Sequence, residues 1–194
     1  MRLLVVGEPG SGKTSWCREY IDERRKRGVS VGGILCPAIE QQGQRVGSNA
    51  LDLLTGQEIP FARLSRHRSF KAGEKIGNYI ISRDAISFAF GAIERAVKRN
   101  CDLVVIDEVG PLELTGKGLM PAVQLALRSG VNALIVVRSS LREALQNRFP
   151  EDEFAVLADL TQSTSNVTEL ASSKSGEVAT YEVRSEGRQT QETK

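Results

Sequence analysis

The stretch from Leu3 to Thr14 constrains this chain more than any other. Four apolar, strand-forming residues, Leu3-Leu4-Val5-Val6, run into Gly7-Glu8-Pro9-Gly10-Ser11-Gly12-Lys13-Thr14. The second part has the spacing G-x-x-x-x-G-K-[ST]. Its glycines permit backbone angles closed to other residues, so the chain can wrap a phosphate closely. The amide N–H groups of Gly7, Glu8, Pro9's neighbours, Gly10, Ser11 and Gly12 then turn inward toward the phosphate oxygens. A helix predicted to open near Lys13 adds the positive end of its dipole. Lys13 is expected to reach the β- and γ-phosphates, Thr14 to offer its hydroxyl to Mg²⁺, and Ser15 to touch the α-phosphate. The bland alternative is a glycine-rich turn that binds nothing. The buried strand before the motif and the helix after it both weigh against that reading.

A second motif complements the first. Leu103-Val104-Val105-Ile106 is a continuous apolar run, as expected of a strand buried on both faces, and it ends in Asp107-Glu108. An acid at the end of such a strand can hold the Mg²⁺ of a bound nucleotide, so Asp107 joins Thr14 as the expected metal pair and adds to the nucleotide-binding set. Glu108 beside it can take a proton from water, which favours hydrolysis over transfer to a second substrate. Gly110-Pro111 then turns the chain at the carboxyl end of the sheet, where ligands bind in open α/β folds. Glu113, further on, either helps place water or metal or caps the next segment.

Strand-sized apolar runs alternate with helical stretches along the rest of the chain, which predicts an α/β fold: a three-layer α/β/α sandwich on a mostly parallel sheet. Helices are expected over Lys13 to Arg27, Arg83 to Lys98, Leu119 to Arg128 and Leu141 to Asn147. In the second of these, Ile86, Phe90, Ile93 and Val97 form the expected inward stripe. Strands are expected at Val29 to Cys36, Val131 to Val137 and Phe154 to Leu160. Gln44–Leu54 and Glu58–Leu64 read as an antiparallel ribbon at the sheet edge. The fold is expected to occupy residues 1–165. Residues 166–194 are rich in Ser, Thr, Glu, Gln and Lys and read as a polar tail, with a short strand near 178–183 as an option.

Charge gives no global drive toward nucleic acid or membrane: 26 basic residues face 24 acidic ones, for a net +2. No apolar run is long enough to span a bilayer. Gly7 ends the first apolar run too soon for a secretory signal core. Cys17, Cys36 and Cys101 have neither zinc-like nor redox-motif spacing. A reduced, cytoplasmic protein is expected. Transfer chemistry needs positive charge beyond Lys13, and Arg138, at the carboxyl end of the run Leu134 to Val137, is the best candidate for an arginine acting in cis. Its alternative is a solvated residue at a helix start. Arg63, Arg66, Arg68 and Lys71 form a basic loop that could close over a triphosphate, contact a nucleic-acid backbone, or simply be solvated. Arg24-Arg25-Lys26-Arg27 reads better as a helix C-terminus than as a nucleic-acid patch. Trp16 and Cys17 read as core, and His67, the single histidine, has no partners for a metal.

Taken in order, four stretches resemble the small P-loop nucleoside-triphosphatases, a family that includes the thermophilic broad-specificity enzymes and the cancer-related nucleoside-triphosphatase. They are the phosphate loop, Gly32-Gly33-Ile34-Leu35-Cys36-Pro37, the ribbon with Arg45-Val46-Gly47 through Asp52-Leu53 and Ala62-Arg63-Leu64, and the acidic motif Val105 to Leu114. The resemblance implies Mg²⁺-dependent hydrolysis of ATP, GTP, CTP or UTP to the diphosphate and phosphate, with little base discrimination. Two positions depart from the family's usual lysines: Asn78 and Pro111. Two rival readings stand beside it. One is a kinase passing the γ-phosphate to a nucleoside, metabolite or nucleic-acid end. The other is a nucleotide-dependent switch associated with nucleic acid.

Overall fold

The computed structural model describes residues 1–67, 70 and 72–161. Its strands are β1 (Arg2–Gly7), β2 (Val31–Leu35), β3 (Ala38–Gln41), β4 (Gln44–Asp52), β5 (Glu58–Leu64), β6 (Gly73–Ile76), β7 (Tyr79–Ser82), β8 (Leu103–Val109), β9 (Ala133–Arg138) and β10 (Phe154–Leu160). Its helices are α1 (Lys13–Lys26), α2 (Arg83–Lys98), α3 (Pro111–Leu114), α4 (Met120–Arg128) and α5 (Arg142–Arg148). The strands form one sheet in the order β10-β1-β9-β8-β2-β4-β5-β7-β6, with β3 paired to β4. The segment from β10 to β2 is parallel throughout. From β4 onward every pairing is antiparallel.

Side-chain alternation along the parallel strands builds two cores, one on each face. Leu3, Val5, Leu103, Val105, Leu134 and Val136 pack with Cys17 and Ile21 of α1. The intervening Leu4, Val6, Val104, Ile106, Ile135 and Val137 pack with α2, α4 and Leu145 of α5. This is the expected three-layer α/β/α arrangement. The antiparallel edge is larger than the expected two-strand ribbon, because β3, β6 and β7 join it.

Ser82 caps α2 by accepting from the Ala85 N–H at 3.3 Å. The buried face of that helix differs from the expected stripe. Ala85, Ala89, Ala92, Ile93 and Ala96 are fully buried, while Ile86, Phe90 and Val97 flank them, packed against the core but half-buried. Small residues let the helix lie close on the sheet. A Cβ added to Gly32 of β2 would come within 2.6 Å of the Ala96 Cβ. The next residue, Gly33, has φ +94°, and a Cβ there would meet the Val105 carbonyl oxygen at 2.1 Å. The Gly32-Gly33 pair is therefore required by packing as well as by conformation. Among the described residues, no helix is long and apolar enough to cross a membrane. The expected tail, with its optional strand, lies outside the described residues, as do Arg68 and Lys71.

Candidate active site

The phosphate loop is a tight turn between β1 and α1. Gly10 and Gly12 have φ +82° and +86°, in the left-handed region, and Gly12 stands directly before the first turn of the helix. The Ser11 N–H donates to the Glu8 carbonyl at 3.1 Å and the Trp16 N–H to the Gly12 carbonyl at 2.9 Å, closing the turn. The Lys13 ammonium folds back over the loop and donates to the carbonyls of Gly7 at 2.9 Å and Glu8 at 2.6 Å. Burial lowers its pKa, against the raising effect of Asp107 and Glu108.

Strand β8 brings the acidic pair to the same end of the sheet. Its register against β9 shifts between Ile106 and Val109, so Asp107 and Glu108 sit in a bulge, and Glu108 has φ +69°. The shift aims the two carboxylates in different directions. Asp107 is buried, 2% exposed. Its Oδ2 accepts from the Thr14 hydroxyl and the Cys36 N–H, each at 2.9 Å, and its Oδ1 from the Glu108 N–H at 2.8 Å. Burial, then the neighbouring Glu108 charge, push its carboxyl up to about 6 despite those three bonds. Glu108 instead meets Arg45 of β4, whose guanidinium donates to its Oε1 at 2.6 Å. That ion pair is the site contact sequence reasoning missed. Arg45 stands among the family-like stretches, but nothing local shows that the ribbon folds it back onto a residue 63 positions away.

Strand β9 lies between β1 and β8, with Gly7 opposite Arg138 and Val109 opposite Val137. Arg138 is thus delivered between the two motifs, as expected. One cavity of about 490 Å³ gathers the pieces: Pro9, Gly10, Gly12, Lys13, Thr14, Ser15, Asp107, Glu108, Arg138 and the unforeseen Arg45 all line it. Gly7, Glu8 and Ser11, also expected to bind nucleotide, are not among the residues that line it. Glu8 also accepts a hydrogen bond from the Ser139 hydroxyl.

Several other expectations resolve. Glu113 is a cap: it is 3% exposed, its Oε2 accepts from the Gly110 N–H at 2.8 Å and its Oε1 from the Leu119 N–H at 3.0 Å. It therefore holds the chain after β8 with both oxygens engaged, and it is not among the residues that line this cavity. Trp16 stacks on Tyr20 with ring centroids 5.1 Å apart, and Arg24 lies over the same Tyr20 ring. Arg25 donates to the carbonyls of Val31 and Leu53, and Arg27 pairs with Glu23 at 2.9 Å. Arg24, Arg25 and Lys26 stand in the last turn of α1 and Arg27 at its C-terminal cap. Arg63 is spent within the ribbon, on the carbonyls of Ser48 and Ala62 and the Asn49 side chain.

The donor set suits a hard divalent ion. Thr14 Oγ1 and Asp107 Oδ2 are 2.9 Å apart, and adjacent oxygens around an octahedral ion with bonds of about 2.1 Å stand about 3 Å apart. No group of three or more His, Cys, Asp or Glu side chains among the described residues would cage a metal by itself. A metal here needs phosphate and water to complete its shell, as Mg²⁺ on a nucleotide does.

The profile of the family described as NTPase matches residues 2–171. The chain is 36% identical over 140 residues to the nucleoside-triphosphatase THEP1 of Methanopyrus kandleri, covering 72% of this chain and 74% of that one. It is 36% identical over 147 residues to the protein of the same name from Thermofilum pendens, covering 75% and 77%. Among solved structures it resembles a human cancer-related nucleoside triphosphatase, with a TM-score of 0.57 and 24% identity over 80% of this chain and 86% of that one. That last likeness bears on the fold.

Proposed function

The chain belongs to the NTPase family, and on that premise we propose that it hydrolyses nucleoside triphosphates to the diphosphate and phosphate, with Mg²⁺ as the metal. The observation that carries the reading is the single cavity where Lys13, Thr14, Asp107, Glu108 and Arg138 converge. The loop amides and the Lys13 ammonium, which now rests on two loop carbonyls, turn to the β- and γ-phosphates. Thr14 and Asp107 would hold the Mg²⁺, which would supply charge neutralisation on the phosphate oxygens. Glu108 accepts a proton from water as the water oxygen bonds to the γ-phosphorus and the bond to the bridging oxygen breaks. Arg138 meets the charge on the γ-phosphoryl oxygens. Arg45 fixes the Glu108 carboxylate, and so acts as a positioning residue.

ATP, GTP, CTP and UTP are all substrates in this reading, because every contact it uses is to phosphate or metal, which the four share. The cytoplasm, which supplies Mg²⁺ and nucleotides and keeps the three thiols reduced, is the compartment it fits. Phosphate release from each of the four nucleotides, with and without Mg²⁺ and with no acceptor present, tests it. Release from all four that stops on removing Mg²⁺ is expected. Release from none would overturn it.

A further inference from the structure

We propose that a second cavity beside the γ-phosphate position binds a small ring-bearing alcohol, and that this alcohol accepts the γ-phosphoryl group in place of water. The inference rests on the first cavity's being the triphosphate site. The second cavity measures about 340 Å³ and shares Pro9, Gly10, Arg45, Glu108 and Arg138 with the first. Glu108 thus lines both, and the two spaces adjoin where the γ-phosphate would lie.

The rest of the second cavity is unlike a water site. Phe61, Tyr79 and Ile81 of the ribbon and Leu112 of α3 form an apolar, aromatic wall, beside Glu113, whose two oxygens are already taken by the Gly110 and Leu119 N–H groups. Phe61 is 3% and Leu112 6% exposed. Activating water requires a base and a metal, and it has no use for an aromatic chamber. The volume is near the lower end of small-molecule sites, about 300–1,000 Å³, which suits one or two rings and excludes a polymer.

An apolar ring packed on Phe61 and Tyr79 would have its own hydroxyl free to meet Glu108 where the two cavities join.

The chemistry balances without any further reagent. The alcohol oxygen forms a bond to the γ-phosphorus while the bond to the β–γ bridging oxygen breaks. The alcohol proton passes to Glu108, the nucleoside diphosphate leaves, and a phosphate monoester is the second product. Nothing is oxidised or reduced. Hydrolysis is then the reaction that occurs when the second cavity holds water.

The test uses the full chain with Mg²⁺ and γ-labelled ATP. Benzyl alcohol, 2-(4-hydroxyphenyl)ethanol, adenosine and uridine are supplied one at a time at about 10 mM, enough to fill most of a site with a millimolar Kd. Label is then partitioned between inorganic phosphate and monoester. Ligand-observed NMR with a non-hydrolysable ATP analogue bound follows probe binding directly. At least one probe should bind and move label into a monoester. Tyr79→Ala, which removes one aromatic face of the wall, should weaken that probe's binding roughly tenfold, the loss of about one aromatic contact. Ile81→Trp, which fills the cavity, should cut the ester-to-phosphate ratio to background. The proposal is overturned if no probe binds, if all label from the parent protein goes to inorganic phosphate, or if neither substitution changes the ratio. Failure of the triphosphate reading would look different: the analogue would not bind, and no label would leave ATP at all.

Discussion

Asp107 accepts three hydrogen bonds and is still held in a state that disfavours its charge. Burial outweighs the bonds, and Glu108 adds a like charge beside it, so the carboxyl is pushed up to about 6 from a usual 3.8. A carboxyl raised in the folded state lowers stability as pH rises, because the unfolded chain ionises first. The nucleotide-free protein should therefore lose stability relative to Asp107→Asn between about pH 4 and pH 7, by on the order of 3 kcal/mol. Urea melts of both proteins across that range check this, and a constant difference would contradict it. Arg45 is the residue-scale surprise. If it fixes the Glu108 carboxylate, Arg45→Ala should lower turnover by about 10–100-fold, with Mg–ATP affinity nearly unchanged. Steady-state kinetics beside a binding titration separate the two, and an unaltered kcat would remove the role. The phosphate loop, Asp107 and Glu108 were readable because each is a local pattern on a recognisable strand. The Arg45–Glu108 pair was not, because it depends on where the fold places a partner 63 positions away; the cap at Glu113 was one of the two readings its position offered, and its Gly110 and Leu119 partners lie close by in sequence.

The antiparallel edge is the element that local pattern renders least well. Strands β3, β6 and β7 are four residues each, largely unburied, and lack the alternation that marks β4 and β5. They exist because neighbouring strands supply their hydrogen bonds. The inward face of α2 differs from its large apolar stripe for a related reason. Large apolar residues dominate a periodicity count, whereas the face that meets Gly32 had to be small, so the alanines went inward. What ties the edge to the helix is Asp52, fully buried at the end of β4. It accepts from Arg95 of α2 and the Thr55 hydroxyl, each at 2.8 Å, and from the Leu54 N–H at 2.9 Å. Burial pushes its carboxyl up, but those donors together outweigh burial and hold it below 3.8. A lowered carboxyl contributes stability above its unfolded value and loses it as pH falls through the folded one. Asp52→Ala should thus cost about 2–3 kcal/mol at neutral pH, and the gap to the parent should close below about pH 4. A gap that persists unchanged at pH 3 would show that the contribution is packing rather than charge.

At the scale of the molecule, the sheet divides its labour. The parallel segment carries Lys13, Asp107, Glu108 and Arg138 at the carboxyl ends of β1, β8 and β9, the placement open α/β sheets give their ligands. The antiparallel segment reaches over that end with Arg45 and walls the second cavity. Fold class and the end of the sheet that carries the cavity were legible because both follow from strand burial and chain order. The reach of the ribbon was not, because it is tertiary. In the proposed reaction one cavity binds Mg–triphosphate through the loop and Asp107 and breaks it through Glu108. The most direct measurement is phosphate release by Glu108→Gln at saturating Mg–ATP, with binding followed in the same sample by the shift in melting temperature. Turnover should fall about 10²–10⁴-fold, the contribution of a general base, with the nucleotide-induced shift kept. Turnover at the parent rate would remove Glu108 as the base.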